Sequence, residues 1–201
     1  MKIVIIGGVA GGMSAATRLR RLSESAEITV LERSGYVSFA NCGLPYYVGD
    51  VIEERSALLL QTPESLRDRF NLDVRVRHDV RGIDAAAQRV RGTDLTTQTE
   101  FELPYDALIL SPGARPIRPP IPGIEHALTL RNIEDTDTLD AAVGDVLNAT
   151  TGDTLSPATG DALDAAVGNV LDSPDGDALD AATAAAKTAI VIGGGFIGLE
   201  V

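Results

Sequence analysis

The stretch that most restricts the fold of this chain is its opening segment, up to Glu32. Lys2–Ile6 is a β-branched run typical of a strand, and the glycine-rich turn GGVAGG follows it directly. Gly12–Leu22 then places apolar or small residues at helical spacing, and Glu27–Leu31 is a second strand-like run. A strand, a glycine turn, a helix and a strand within about 30 residues predict the βαβ unit of a parallel sheet.

The glycine turn carries the first functional signal. A dinucleotide-binding turn needs glycines where the first strand meets its helix, because the backbone must approach a pyrophosphate there. In register with G-x-G-x-x-G, Gly7 and Gly12 take the first and third positions, while Val9 departs from the pattern at the middle one. Glu32 lies 20 residues after Gly12, where a carboxylate can accept hydrogen bonds from an adenosine ribose. We predict dinucleotide binding; the alternative is a plain βαβ turn with a surface glutamate.

The middle of the chain predicts one more helix and several strands. Thr62–Arg69 begins as a helix would, with Thr62 as the N-cap and Pro63 at the first helical position. Strands are expected at Asp73–Arg77, Val80–Asp84, Arg89–Gly92, Thr99–Leu103 and Tyr105–Leu110. The second, third and fourth of these predict a small antiparallel meander, and the last predicts a buried strand.

A second glycine run lies near the end of the chain. Ala189–Ile192 is strand-like, and the run that follows matches G-x-G-x-x-G at Gly193, Gly195 and Gly198. Two fingerprints indicate two dinucleotides, one a tightly held flavin and the other a nicotinamide donor. Because a parallel strand and helix need a return strand, we expect the sequence to be the front part of a longer protein.

An internal repeat separates the two glycine runs. Asp137–Asp153 matches Asp161–Asp177 at 11 of 17 positions, with an Asp, Ala, Gly and Thr bias that buries little apolar surface. We interpret it as a weakly helical or disordered linker, since its DSPDGD stretch lacks the spacing of a calcium loop. The predicted organisation is therefore an FAD-binding part over residues 1–135, a linker over 136–187 and the start of an NAD(P)-binding domain over 188–201.

Charge and composition exclude several classes of protein. The net charge of −12 is concentrated in residues 131–201, which carry 13 acidic and 2 basic side chains against 16 and 15 in residues 1–130. This balance disfavours nucleic-acid binding. The apolar run Ile3–Ile6 is too short for a secretory signal, and no stretch reaches the length of a membrane span. With one cysteine as well, we expect a cytoplasmic protein. His78 and His126 are isolated, so no metal site is predicted.

Cys42, the single cysteine, lies within YVSFANCGLPYYVGD. A lone cysteine is most often a small buried hydrophobic residue, so its surroundings decide the interpretation. The stretches GGVAGGMSAATRLRRL, SFANCGLPYYVGD, YDALILSPGARP, TLRNIEDTD and IVIGGGFIGLE resemble the coenzyme A-disulfide reductases. These are flavin-dependent pyridine nucleotide-disulfide oxidoreductases, and some relatives carry a rhodanese domain and reduce persulfides or polysulfides. The likeness covers about residues 1–140 and 187–201.

The resemblance implies a fold, two cofactors and a reaction. The fold is α/β: a Rossmann-like FAD-binding domain with a parallel sheet and a small antiparallel meander, incomplete, followed by the first strand and helix of a second Rossmann unit. FAD and NADH or NADPH are the implied cofactors. Cys42 is the implied redox-active thiol, and Tyr46 takes the place of the second cysteine of a C-x4-C pair. As a thiolate, Cys42 attacks a disulfide or sulfane sulfur, and hydride passing from NAD(P)H through FAD resolves the product.

The same resemblance and the glycine fingerprints give the candidate site residues. The predicted catalytic residue is Cys42. The predicted cofactor-binding residues are Gly7, Gly8, Gly11, Gly12, Glu32, Arg33, Ser111, Gly113, Arg131, Gly193, Gly195 and Gly198. The predicted substrate-binding residues are Ser14, Arg18, Arg21, Ser38 and Asn41. Ser14 and the two arginines are expected to face coenzyme A, whose phosphates suit guanidinium groups; the alternative is a solvated helix face.

We therefore predict an NAD(P)H-dependent flavoenzyme that reduces coenzyme A disulfide or related persulfides and polysulfides. The alternative enzyme is an NADH oxidase or peroxidase in which the same cysteine cycles through sulfenic acid. A third interpretation is a non-catalytic fragment that binds FAD weakly, because much of the nicotinamide module and the dimer domain implied by the family are missing. The full-length protein is expected to be a homodimer.

Overall fold

The computed structural model describes residues 1–122 and 124–149. Its strands are β1 (Lys2–Ile6), β2 (Glu27–Leu31), β3 (Asp73–Arg75), β4 (His78–Asp84), β5 (Arg89–Asp94), β6 (Thr99–Pro104) and β7 (Ala107–Leu110). Its α-helices are α1 (Ala10–Leu22), α2 (Leu44–Val48), α3 (Pro63–Phe70) and α4 (Ile133–Ala149). Short 3-10 turns lie at Asn41–Gly43, Arg55–Leu58 and Ile124–His126.

The chain divides into two compact units. The first comprises Met1–Asn41 and Glu54–Arg115, and therefore holds every strand of the described residues together with α1 and α3. The second comprises Cys42–Glu53 and the described residues after Arg115, which include α2 and α4. This division does not test the predicted domain boundaries at residues 135 and 187, which stay predictions.

The first unit is built on a parallel sheet. Its strand order is β3-β2-β1-β7, and all three neighbouring pairs are parallel. β4, β5 and β6 form a separate antiparallel sheet with β5 in the middle. The predicted α/β class, a parallel sheet plus an antiparallel meander, is confirmed.

Both faces of the parallel sheet are covered, which explains the continuous apolar runs of β1 and β2. Ile3 and Ile5 lie on the face that packs against α1, where Met13 and Ala16 are buried. Val4 lies on the other face and packs with Val90 of the meander. At about 25 cal/mol per Å² of buried apolar surface, these layers supply the main stabilisation of the unit.

Two helices begin where local chemistry places them. The side chain of Thr62 accepts a hydrogen bond from the backbone N–H of Ser65, and the side chain of Ser65 accepts one from the backbone N–H of Thr62. The two bonds form a capping box, with Pro63 at the first helical position. The predicted N-cap is confirmed. Helix α1 begins at Ala10, two residues before the predicted start at Gly12, so the glycine turn runs into the first helical turn.

Three strands depart from their predicted form. β3 ends at Arg75 instead of Arg77, because Arg77 has a φ of +57°, which breaks an extended backbone. β4 begins at His78, so the meander is longer than predicted. The prediction of a buried strand over Tyr105–Leu110 is wrong. β7 is shorter and half-buried, and Leu110 is 59% exposed, because within the described residues β7 is an edge strand.

In the second unit, α2 packs against α4. The side chain of Asn132 accepts from the backbone N–H of Asp135, and the Asp135 carboxylate accepts from the backbone N–H of Arg131. Within the TLRNIEDTD stretch, Asn132 is thus the N-cap residue, and it fixes where α4 begins. Helix α4 extends through Ala149, so it includes most of the first repeat copy. The rest of the repeat and the second glycine run lie outside the described residues.

Within residues 1–122 and 124–149, no helix has both the length and the apolar character needed to cross a bilayer.

Candidate functional site

The carboxyl ends of three parallel strands meet at one edge of the sheet. Gly7 follows β1, Glu32 follows β2 and Ser111 follows β7. The chain proceeds from β1 to β2 and β3 on one side, and β7 pairs with β1 on the other. The strand order therefore reverses beside β1, and ligands of open α/β sheets bind in the crevice at such a switch point.

Two glycines close this edge tightly. Gly7 has a φ of +101°, and a Cβ built on it would lie 1.9 Å from the carbonyl oxygen of Ser111. A Cβ on Gly12 would lie 1.8 Å from the carbonyl oxygen of Gly7. No other residue type fits either position without moving the backbone. These are the first and third positions of the fingerprint, so both glycines are required by the packing of this turn.

The amino end of α1 faces outward with its backbone donors uncapped. Val9, the N-cap residue, makes no side-chain cap hydrogen bond, and the first turn holds no acidic side chain. Ala10 and Gly11 are exposed. The first N–H groups of a helix have no acceptor within the helix, and the positive end of the helix favours an anion. The turn thus has the geometry to bind a pyrophosphate.

Glu32 holds the turn from the side. One carboxylate oxygen accepts from the backbone N–H of Gly8 at 2.7 Å, and the other accepts from the backbone N–H of Ser34 at 2.8 Å. Each oxygen of an ionised carboxylate has a further lone pair, so Glu32 can accept from a ribose hydroxyl without releasing either backbone group. Arg33, the predicted neighbour, is 69% exposed and lies 3.6 Å from the Asp79 carboxylate.

Ser111 and Gly113 complete this edge in the first unit. The backbone N–H of Ser111 donates to the carbonyl oxygen of Ile6 at 2.7 Å, which continues the β1–β7 pairing into the turn. Gly113 has a φ of +72°, where a side chain is disfavoured. The structure therefore brings Gly7, Gly12 and Ser111 together, while their role in binding a cofactor stays a prediction.

One face of α1 presents the predicted coenzyme A contacts. Ser14, Arg18 and Arg21 are exposed at positions i, i+4 and i+7, so they form a single stripe along the helix. Among the described residues, neither Arg18 nor Arg21 has a hydrogen-bond or ion-pair partner. Arg20 differs: its guanidinium donates to the carbonyl oxygens of Phe70 and three other residues. Arg20 is thus a structural arginine.

Residues 38–42, SFANC, form the cysteine segment. This segment runs from the first unit into the second, because the boundary lies between Asn41 and Cys42. The backbone N–H of Ser38 donates to the carbonyl oxygen of Gly8 at 2.9 Å, and Ser38 has a φ of +49°. The Asn41 side-chain oxygen is buried and has no hydrogen-bond partner among the described residues. Cys42 is exposed, so it is not the buried hydrophobic residue of the alternative interpretation.

Two sets of predicted cofactor residues lie elsewhere. Arg131 belongs to the second unit, where its backbone N–H supports the start of α4. Gly193, Gly195 and Gly198 lie outside the described residues. The predicted roles of all four stay predictions.

Comparison with known proteins identifies the family of this chain. The family described as pyridine nucleotide-disulphide oxidoreductase matches residues 1–201. The chain belongs to this family. The family agrees with the resemblance found in the sequence, while the nucleotide-binding roles of the glycine turn, Glu32 and Ser111 stay predictions.

Three members of the family show how far the likeness extends. A coenzyme A disulfide reductase of Staphylococcus epidermidis is 43% identical over 142 residues, which are 71% of this chain and 32% of the relative. Reduced CoADR-RHD of Bacillus anthracis is 55% identical with a TM-score of 0.69, covering 71% of this chain and 26% of that one. The NAD-dependent persulfide reductase of A. fulgidus is 36% identical with a TM-score of 0.68, covering 72% and 28%. The chain thus spans about a third of the length of the curated relative.

Sequence reasoning missed two residues that shape the family site in this chain. Ser34 shares the Glu32 carboxylate with Gly8. Leu58 accepts a hydrogen bond from the backbone N–H of Ala40 and so anchors the cysteine segment. Both act through backbone contacts, and side-chain patterns carry no signal for such contacts.

Proposed function

We propose that this chain is part of an FAD-dependent NAD(P)H:disulfide oxidoreductase that reduces coenzyme A disulfide, or related persulfides and polysulfides, through Cys42. One observation carries the proposal. The exposed thiol of Cys42 lies at the end of a segment whose Ser38 is bonded to the nucleotide turn at Gly8. An exposed thiol on a segment that is hydrogen-bonded to a dinucleotide turn suits two-electron sulfur chemistry better than a binding role alone.

The residues at the sheet edge fit FAD. The uncapped N–H groups of α1 would bind the pyrophosphate, and Glu32 would accept from the adenosine ribose. Ser111 and Gly113 would approach the ring system from β7. When bound, FAD supplies the two-electron transfer between a nicotinamide and sulfur. We assign NADH or NADPH to the second glycine run, at Gly193, Gly195 and Gly198.

The chemistry assigned to Cys42 is nucleophilic attack on sulfur. The thiolate attacks one sulfur of coenzyme A disulfide, the sulfur–sulfur bond breaks, and one coenzyme A thiolate leaves. Cys42 is left in a mixed disulfide with the second coenzyme A. Two electrons that originate from NAD(P)H reduce this mixed disulfide, releasing the second coenzyme A thiolate and the Cys42 thiolate. With a persulfide substrate, Cys42 takes up the sulfane sulfur in the same way.

Ser14, Arg18 and Arg21 are proposed to bind the coenzyme A phosphates. The exposed stripe on α1 supplies two guanidinium groups without partners among the described residues, and such groups form bidentate pairs with phosphate. The name of the staphylococcal relative, coenzyme A disulfide reductase, supports this substrate class.

Mixed-disulfide trapping tests the proposal on the chain itself. Incubation with coenzyme A disulfide is expected to add one coenzyme A to the protein mass and to release one equivalent of coenzyme A. Cys42→Ser is expected to show neither. A wild-type protein that reacts no faster with coenzyme A disulfide than with glutathione disulfide would count against the assigned substrate.

The arginine stripe provides a matched pair of variants. Arg18→Gln/Arg21→Gln is expected to slow trapping with coenzyme A disulfide by about fivefold and to leave glutathione disulfide unaffected, since exposed charge pairs contribute about 0.2–1 kcal/mol each. Arg81→Gln/Arg91→Gln removes the same charge from exposed positions on the meander and is expected to change neither rate. Equal slowing by the two double variants would show that net charge alone is responsible.

Assembly and compartment are further proposals. We place the full-length protein in the cytoplasm as a homodimer; the single cysteine supports a reducing compartment. Sedimentation of the full-length protein tests the dimer.

A further inference from the structure

We propose that Glu32 is a positioning residue for the cysteine segment: through the backbone of Gly8, its carboxylate couples the nucleotide turn to the stretch that leads to Cys42. This inference deepens the proposed function and rests on it for its dinucleotide ligand. The mechanical link itself is independent of any ligand. It is a chain of hydrogen bonds in the first unit.

Gly8 is held through both of its backbone polar groups, which belong to the two peptide units on either side of its Cα. Its N–H donates to the Glu32 carboxylate at 2.7 Å, and its carbonyl oxygen accepts from the backbone N–H of Ser38 at 2.9 Å. Space around Gly8 is also filled, because a Cβ there would lie 2.8 Å from a side-chain carbon of Val37. The two peptide units that meet at the Gly8 Cα are therefore both held, one by Glu32 in the turn and the other by Ser38 at the start of the cysteine segment.

Glu32 is itself firmly placed. Its backbone N–H donates to the carbonyl oxygen of Arg75, and its carbonyl oxygen accepts from the backbone N–H of His78. The second carboxylate oxygen accepts from the backbone N–H of Ser34. The side chain thus extends from a rigid backbone and is oriented at its far end by two donors, as a positioning group must be.

The cysteine segment has further anchors among the described residues, at Phe39 and Ala40. Ser38 has a φ of +49°, an unfavourable conformation for a residue with a side chain, so the segment needs external bonds to hold it. Phe39 forms an isolated bridge with Leu59, and the backbone N–H of Ala40 donates to the carbonyl oxygen of Leu58. Cys42 follows two residues later. Gly8 is therefore an anchor point of the segment, and it is the one that belongs to the nucleotide turn.

Glutamine at position 32 distinguishes this role from ribose binding. The carboxylate accepts from two N–H groups, whereas an amide has one accepting oxygen and presents its NH2 group to the other donor. A glutamine can still hydrogen-bond a ribose hydroxyl. Glu32→Gln can keep at most one of the two bonds, and its neutral oxygen accepts more weakly than the carboxylate, so the hold on Gly8 is expected to weaken. Glu27→Gln, at an exposed position on β2, is the matched control.

Amide hydrogen exchange at Ser38 and Ala40 of the full 201-residue chain tests the coupling, with ADP as the nucleotide probe. Glu32→Gln is expected to accelerate exchange at Ser38 by about tenfold, the scale of one lost hydrogen bond to a charged group. Glu27→Gln is expected to match the wild type. ADP is expected to slow exchange at Ser38 in the wild type and to have less effect in Glu32→Gln.

Calorimetric titration of the same samples with ADP separates the two proposals. Unchanged exchange at Ser38 in Glu32→Gln would overturn the positioning role, whether or not ADP binds. Failure of the wild type to bind ADP, with faster exchange in Glu32→Gln, would overturn the dinucleotide proposal and leave the mechanical link standing. If Glu32→Gln unfolds, seen as fast exchange throughout β1, Glu32→Asp replaces it. That variant keeps the charge and is expected to accelerate Ser38 more than the β1 amides; equal acceleration would refute the role.

Discussion

The replacement of Gly12 by alanine is the sharpest test of how the nucleotide turn is built. A Cβ at this position would lie 1.8 Å from the carbonyl oxygen of Gly7 and 3.2 Å from a side-chain carbon of Ile5. Ordinary contact begins at 3.4 Å. The first neighbour is backbone, so no side-chain rotation relieves the overlap. Helix α1 must instead move away from β1.

The energetic cost follows from that movement. Forcing extra volume into a packed site costs about 1–3 kcal/mol, and shifting α1 also loosens the contacts of Met13 and Ala16 with the sheet. Alanine regains up to about 1 kcal/mol of helix propensity. We expect Gly12→Ala to lower the free energy of unfolding by about 2–3 kcal/mol, a large share of the 5–15 kcal/mol of a typical domain.

Gly11 provides the control within the same helical turn. A Cβ there meets only the Ser111 side chain, with the hydroxyl oxygen at 3.3 Å and the Cβ at 3.6 Å, and the residue is exposed. Gly11→Ala is therefore expected to be neutral or to stabilise by up to about 1 kcal/mol. Urea denaturation followed by circular dichroism measures both, and the midpoints should differ by about 1–2 M for an ordinary slope. Equal midpoints for the two variants would refute the assignment of Gly12 as a packing glycine.

Three further substitutions test local elements of the first unit by the same denaturation assay. Thr62→Ala removes the N-cap of α3 and is expected to cost about 1 kcal/mol. Arg20→Ala leaves several carbonyl oxygens at the ends of α1 and α3 without their charged donor and is expected to cost about 1.5–3 kcal/mol, whereas Arg91→Ala on the meander should cost little. The backbone N–H of Thr96 holds the pKa of Asp94 below its ordinary value. Its stabilisation is therefore present above the unfolded-state pKa of about 3.9 and lost as pH falls through the lower folded-state pKa. Asp94→Asn should lose less stability than the wild type on acidification below about pH 4; parallel pH profiles would contradict this.

The elements predicted well are those specified by consecutive residues. β1, the glycine turn and β2 follow from two short apolar runs and a set of glycines, and their strand bounds agree with the structure. The N-cap of α3 follows from Thr62 and Pro63 for the same reason. In each case the start and end of the element depend on a few neighbouring residues, so they can be predicted from the sequence.

The features predicted poorly depend on partners far along the chain. The apolar run of β7 predicts a buried strand, but its burial depends on whether another strand pairs with its outer edge. Within the described residues, no strand pairs there. The bond between Ser38 and Gly8 joins backbone groups 30 residues apart. Backbone groups are identical in every residue except proline, so no side-chain pattern reveals which two of them meet.

Val9 shows which parts of the glycine fingerprint are physically required. Its φ of −104° is negative, so the middle position of this turn does not adopt the left-handed backbone that favours glycine. Gly7 and Gly12 cannot be replaced without moving the backbone, because a Cβ on either meets a backbone carbonyl. A middle glycine serves close approach of a pyrophosphate to the backbone, and here the exposed Gly11 leaves room on the same turn. The fingerprint is therefore better judged by which glycines the packing requires than by the count of matching letters.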